Sequence, residues 1–143
     1  MNKILTTTSL IFSLFFFETS FAMTMVTCTP TRNSTYQINI IFPRDTNPLH
    51  PFVGFLNFMA TVQIFNPQNQ LEYENKKIRV TPEVYTTDIN LRGDAEGVYL
   101  RLYPQITNDQ FTHYTGQIFI NDLDTKNYYN FRSSDSAPGF VCR

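Results

Sequence analysis

The chain reads as all-β: a single antiparallel β-sandwich or small β-barrel whose two ends are tied by one disulfide. Three observations carry this expectation. Apolar residues recur at every second position over most of the sequence, the pattern of half-buried strands. Turn residues punctuate that pattern at short intervals, and no stretch beyond the first twenty or so residues holds a helical period. The only two cysteines, Cys28 and Cys142, stand near the two ends of that region.

The first segment is a targeting signal. Lys3 supplies a basic start, Ile4–Phe17 an apolar run, and Ser20-Phe21-Ala22 a small-residue cleavage site, so residues 1–22 are expected to be removed after export. A membrane anchor fits less well, because the run is diluted by Thr6, Thr7, Thr8 and Ser9, followed by Glu18, and shorter than the ~20 apolar residues a bilayer demands. Lipidation of Cys28 would want Leu and a small residue just ahead of it, whereas Thr24-Met25-Val26-Thr27 stands there. Export into an oxidising compartment lets the two cysteines pair, and two cysteines permit only one intramolecular bridge. A redox pair or metal site would need CxxC spacing or nearby His ligands, which the sequence lacks. The remaining residues 23–143 suffice for one domain with one core.

Strands follow in order. Tyr36, Ile38, Ile40 and Phe42 alternate with Gln37 and Asn39, then Phe58, Ala60, Val62 and Ile64 with Asn57, Thr61 and Gln63. The segment Leu71–Leu91 is expected to hold two strands, around Ile78–Val80 and Val84–Leu91, with Pro82 breaking between them. Val98, Leu100 and Leu102 alternate with Tyr99, Arg101 and Tyr103, and Tyr114, Gly116, Ile118 and Ile120 with Thr115, Gln117 and Asn121. Tyr128–Arg132 and Phe140–Cys142 complete the series. Turns are expected at Asn66–Asn69, Arg92–Gly97, Thr107–Asp109, Asp122–Asp124 and Ala137–Gly139. Residues 43–55, rich in Pro, read as a long irregular connection across one end of the sheets.

Charge excludes some functions. The net charge is −1, which argues against a nucleic-acid or anionic-membrane binder, since both need a basic field. Lys76-Lys77-Ile78-Arg79 is the one basic cluster, and Glu72, Glu74 and Glu83 surround it, as on a solvated strand face. His50 and His113 stand apart from each other and from any metal-ligand spacing. No GxSxG elbow, HExxH helix or Gly-rich phosphate loop is present. Asp122-Leu123-Asp124 opens like a calcium loop, but the following positions lack the Asp or Asn, the Gly and the Glu such a loop requires. No catalytic residue, cofactor or metal is therefore expected.

The candidate binding residues are Tyr99, Arg101 and Tyr103, which share one face of a strand whose other face belongs in the core. Tyr and Arg combine contact area with directional donors and are enriched in binding hot spots. The competing reading is cross-strand packing. Tyr128, Tyr129 and Phe131 form a second aromatic group open to both readings. Asn33-Ser34-Thr35 is a glycosylation sequon that matters only in a eukaryotic source, and the short one-lysine signal suits a bacterium. The expected role is non-enzymatic binding of a protein or glycan partner, in the periplasm or outside the cell. The alternatives are an inhibitor of a hydrolase such as a lysozyme or protease, acting through residues 43–55, and an enzyme with an unrecognised site. No nucleic-acid partner and no stable membrane insertion after cleavage are expected.

Overall fold

The computed structural model describes residues 24–33, 35–43, 57–84 and 89–143. The expected signal segment, His50 and nearly all of the connection at 43–55 lie outside the described residues. The described residues form nine strands: β1 (Thr24–Pro30), β2 (Gln37–Phe42), β3 (Phe58–Phe65), β4 (Leu71–Val84), β5 (Ile89–Ala95), β6 (Val98–Thr107), β7 (Gln110–Asp122), β8 (Asn127–Phe131) and β9 (Phe140–Cys142). The described residues contain no helix.

All pairings are antiparallel. β1 to β7 follow one another in space as they do in sequence, and β9 inserts between β7 and β1 to close an eight-stranded barrel. Closure removes the sheet edges that an open sandwich of this length would leave. β7 is long enough to serve two partners along one flank. Its Tyr114–Gly116 pairs with β9, and its Ile118–Asp122 pairs with β8, which among the described strands alone lies outside the barrel ring.

Strand alternation sorts the side chains. Ile38, Ile40, Phe42, Ala60, Val62, Ile64, Ile78, Val80, Leu100, Leu102, Tyr114, Ile118, Ile120 and Phe140 point inward and are buried. Interior positions of a barrel this small are filled by side chains, which makes it a packed core. At one position in the barrel wall the packing requires glycine. A Cβ on Gly116 would lie 2.3 Å from the carbonyl oxygen of Arg101 and 2.6 Å from the Phe140 ring.

Cys28 and Cys142 are direct neighbours across the β1–β9 pair and are joined by a disulfide. The bond is the one the sequence predicts, and it fixes the first and last strands side by side at the point where the barrel closes. Both sulfurs are buried in the core cluster.

Two local expectations are corrected. β4 runs unbroken through Pro82, which pairs with Leu91 of β5. The β3 ladder ends at Phe58–Val80, so beyond that point β4 is paired with β5 alone among the described residues, and a strand paired on one flank tolerates a missing donor. The second strand of this segment is accordingly Ile89–Ala95, displaced from the expected Val84–Leu91. The turn expected at Arg92–Gly97 shrinks to Glu96-Gly97, where Gly97 takes φ 68°. Gly93 is a strand residue: a Cβ there would meet Ile78 and Leu100 at 3.0 Å, so its smallness serves packing. The hairpin at Asn108-Asp109 matches expectation, with φ of 52° and 61° as a two-residue primed turn requires.

Candidate functional site

The barrel's outer face over β4 to β8 collects most of the aromatic and charged side chains that the core excludes. Alternation places Tyr99, Arg101 and Tyr103 outward on β6, opposite the inward Val98, Leu100 and Leu102. Register then aligns them with neighbours. Asp94, Tyr99, Phe119 and Asn130 lie in one row across β5, β6, β7 and β8, while Arg92, Arg101 and Gln117 form the next.

The polar groups in these rows hold one another. The Glu83 carboxylate accepts from Arg92 Nη1 at 3.2 Å and from Arg101 Nη1, so one carboxylate separates two guanidiniums that face each other directly across β5 and β6. Arg92 Nε also donates to Asp94 at 2.6 Å. Arg101 Nε donates to the Tyr99 hydroxyl at 2.9 Å, and its guanidinium lies 5.5 Å from the Tyr99 ring centroid. The Arg101 side chain keeps only 19% of its exposure. Burial works against its charge, but the bonds to Tyr99 and Glu83 outweigh it and hold the guanidinium above its usual range. Gln117 Nε2 lies 3.4 Å from the Tyr103 hydroxyl.

On the β7–β8 side the same face becomes aromatic. Tyr128 packs edge-on against Phe119, with centroids 5.6 Å apart, and the Arg132 guanidinium lies 4.1 Å from the Phe119 centroid. Tyr99 and Phe119 face each other across β6 and β7, Arg101 stands beside Tyr99 on its own strand, the Arg132 guanidinium lies against Phe119, and Tyr128 stands 63% exposed next to that ring. Cation–π and edge-to-face pairs of this kind stabilise the face by about 0.5–1.5 kcal/mol each and keep the rings in place.

The second aromatic group divides between two surfaces. Tyr128 belongs to the outer face, whereas Tyr129 and Phe131 point inward and pack with Tyr36 and Tyr73 at one end of the barrel, at 5.9–6.3 Å between centroids. There the Tyr129 hydroxyl donates to Glu72 at 2.9 Å, and burial together with that bond pushes its pKa up. Packing thus accounts for Tyr129 and Phe131, while Tyr128 is turned to the outer face.

Phe119, Arg132, Glu83, Arg92 and Asp94 join the candidate site without having been singled out from the sequence. Phe119 was findable: it sits between inward Ile118 and Ile120, so parity alone turns it outward. The contribution of Glu83 depends on which strands are neighbours, and no local pattern carries that.

Elsewhere the described surface offers less. His113 Nδ1 lies 3.0 Å from Thr112 Oγ1. The Asp122 carboxylate accepts from the Thr125 and Asp124 backbone, which holds its pKa below the usual range and shapes the β7–β8 turn. Lys76 pairs with Glu74 at 3.2 Å on the exposed side of β4. Among the described residues no group of three or more His, Cys, Asp or Glu side chains is placed to hold a metal ion. Comparison with protein-family models, with curated proteins and with solved structures finds no match for this chain, so its function must be read from the geometry.

Proposed function

We propose that this chain is an exported binding module that recognises a protein partner through the outer face of β6, β7 and β8, without catalysing a reaction. The observation that carries the reading is the cluster in which Arg101 contacts Tyr99, Tyr99 stands opposite Phe119, and Arg132 and Tyr128 pack against Phe119. Hot spots are enriched in aromatic residues and arginine because these combine apolar area with directional donors. Here the side chains are already held by their neighbours, so little rotamer freedom remains to be lost on binding. Rings flanked by guanidiniums suit a protein surface carrying carboxylates and apolar side chains.

Export is part of the same proposal. The signal-like start and the oxidised Cys28–Cys142 bond support a periplasmic or extracellular setting, where such a bond persists.

The test is affinity capture from the native host's envelope and culture fluid with the tagged exported protein, repeated with Tyr99→Ala and Phe119→Ala. The expected result is one stoichiometric protein partner that survives a high-salt wash and is lost from both variants while their melting temperatures show them folded. A partner retained by both folded variants overturns the assignment to this face.

A further inference from the structure

β8 is paired on one side only. Its ladder with β7 is regular from Asn127 to Phe131, and among the described residues no strand lies along its other edge. Open edges are ordinarily blunted by a charge, a proline, a bulge or a covering segment, because their free N–H and C=O groups accept another strand. Asn127-Tyr128-Tyr129-Asn130-Phe131 contains no charge and no proline, and its ladder has no register shift. Charge gathers at its ends instead, as Lys126 and Arg132.

At the Phe131 end the edge opens into a groove of about 140 Å³ lined by Arg32, Asn130, Phe131, Arg132, Ser133 and Gly139. Two guanidiniums and no carboxylate line it. Neither arginine makes an ion pair among the described residues. The Arg132 guanidinium lies 4.1 Å from the Phe119 centroid of β7, so this cation spans the end of β8 from the outer face to the groove.

We propose that the open edge of β8 receives an extended segment of the partner protein as an added strand, with an Asp or Glu side chain of that segment seated between Arg32 and Arg132. The proposal rests on the reading of the chain as a binding module and deepens it, giving the mode of binding and the chemistry of the partner. Main-chain bonds to β8 supply affinity, and alternate side chains supply specificity. Those on the inner side meet Tyr129 and Phe131 and should be apolar; those on the outer side lie beside Tyr128 and Asn130. Charge decides against a second copy of this chain. Two β8 edges paired antiparallel about Tyr129 would bring Lys126 of each copy opposite Arg132 of the other, whereas an acidic segment neutralises the same cations.

The test is selection of a random linear peptide library on the purified exported protein, followed by amide NMR of the protein with the enriched peptides. Expected are alternating apolar sequences with a required acidic residue, amide shifts at Asn127–Phe131, and about tenfold weaker binding to Arg32→Glu or when the acid is replaced by its amide. Arg32 lies outside the Tyr99–Phe119 row, so its reversal leaves outer-face binding intact and separates the two readings. No enriched peptide, equal binding of acid and amide, self-association in place of peptide binding, or shifts confined to Tyr99, Arg101 and Phe119 would each overturn strand addition, the last while upholding the outer face.

Discussion

Reducing the Cys28–Cys142 bond is the perturbation whose consequence follows most directly from the architecture. The two residues are 114 apart in sequence, and a cross-link closing a loop of that length removes about 16 cal/mol/K of unfolded-state entropy, or about 4.8 kcal/mol at 25 °C in the chain-entropy model. β9 is only three residues long and is the strand that closes the barrel between β1 and β7. In the reduced protein its return depends on two short ladders and on burial of Phe140. With about 2.1 cal/mol/K of unfolding entropy per residue over roughly 120 residues, the loss corresponds to a fall in melting temperature of about 19 °C. The assay is thermal unfolding by circular dichroism of oxidised and reduced wild-type protein, which avoids the cavity a Cys→Ala change would leave. A fall of less than about 5 °C would refute the claim that this bond is the principal restraint on closure.

Three further outcomes are expected. Gly116→Ala drives a Cβ into the Arg101 carbonyl and the Phe140 ring, and should cost about 3 kcal/mol in denaturant unfolding; an unchanged midpoint would mean β6 and β7 are not in this register. Tyr73, Tyr114 and Tyr129 all have pKa values raised above 10.0, chiefly by burial. The folded state therefore holds protons that the unfolded state releases above pH 10, so stability is intact below that value and falls as pH rises past it, at a slope of about two protons from Tyr114 and Tyr129 with a further contribution from Tyr73; Tyr129→Phe should reduce the slope by one, and a flat profile in denaturant titrations from about pH 9 to 12 would contradict the burial. Tyr103→Ala removes a half-buried ring and a long hydrogen bond from Gln117, so a melting shift of only a few degrees is expected, and a collapse of the fold would assign this residue to packing alone.

Much of the architecture was legible because strand parity is strict. Once Leu100 and Leu102 are placed inside, Tyr99, Arg101 and Tyr103 must lie outside, and the same parity sends Tyr128 and Tyr129 to opposite faces. The hairpin at Asn108-Asp109 was legible for a similar reason, since its residue types tolerate positive φ. What escaped the sequence depends on which strands meet. Pro82 looks like a breaker until β3 is known to stop at Phe58, and Gly93 looks like a turn until Ile78 and Leu100 close around it. The sharing of one flank of β7 by β8 and β9 has no local signature, yet it leaves β8 with an open edge and lets Cys142 reach Cys28. Glu83 joined the candidate site the same way, since the pairings of β4 with β5 and of β5 with β6 bring it within reach of both Arg92 and Arg101.

The most direct test of the central claim is hydrogen exchange and side-chain footprinting of the protein with its captured partner. Protection is expected at Tyr99, Arg101, Phe119, Tyr128 and the β8 backbone, with Met25 and Met59, 54% and 47% exposed on β1 and β3, unchanged. Protection of Met25 and Met59 with Tyr99 and Phe119 left open would place the binding face on other strands and contradict the account.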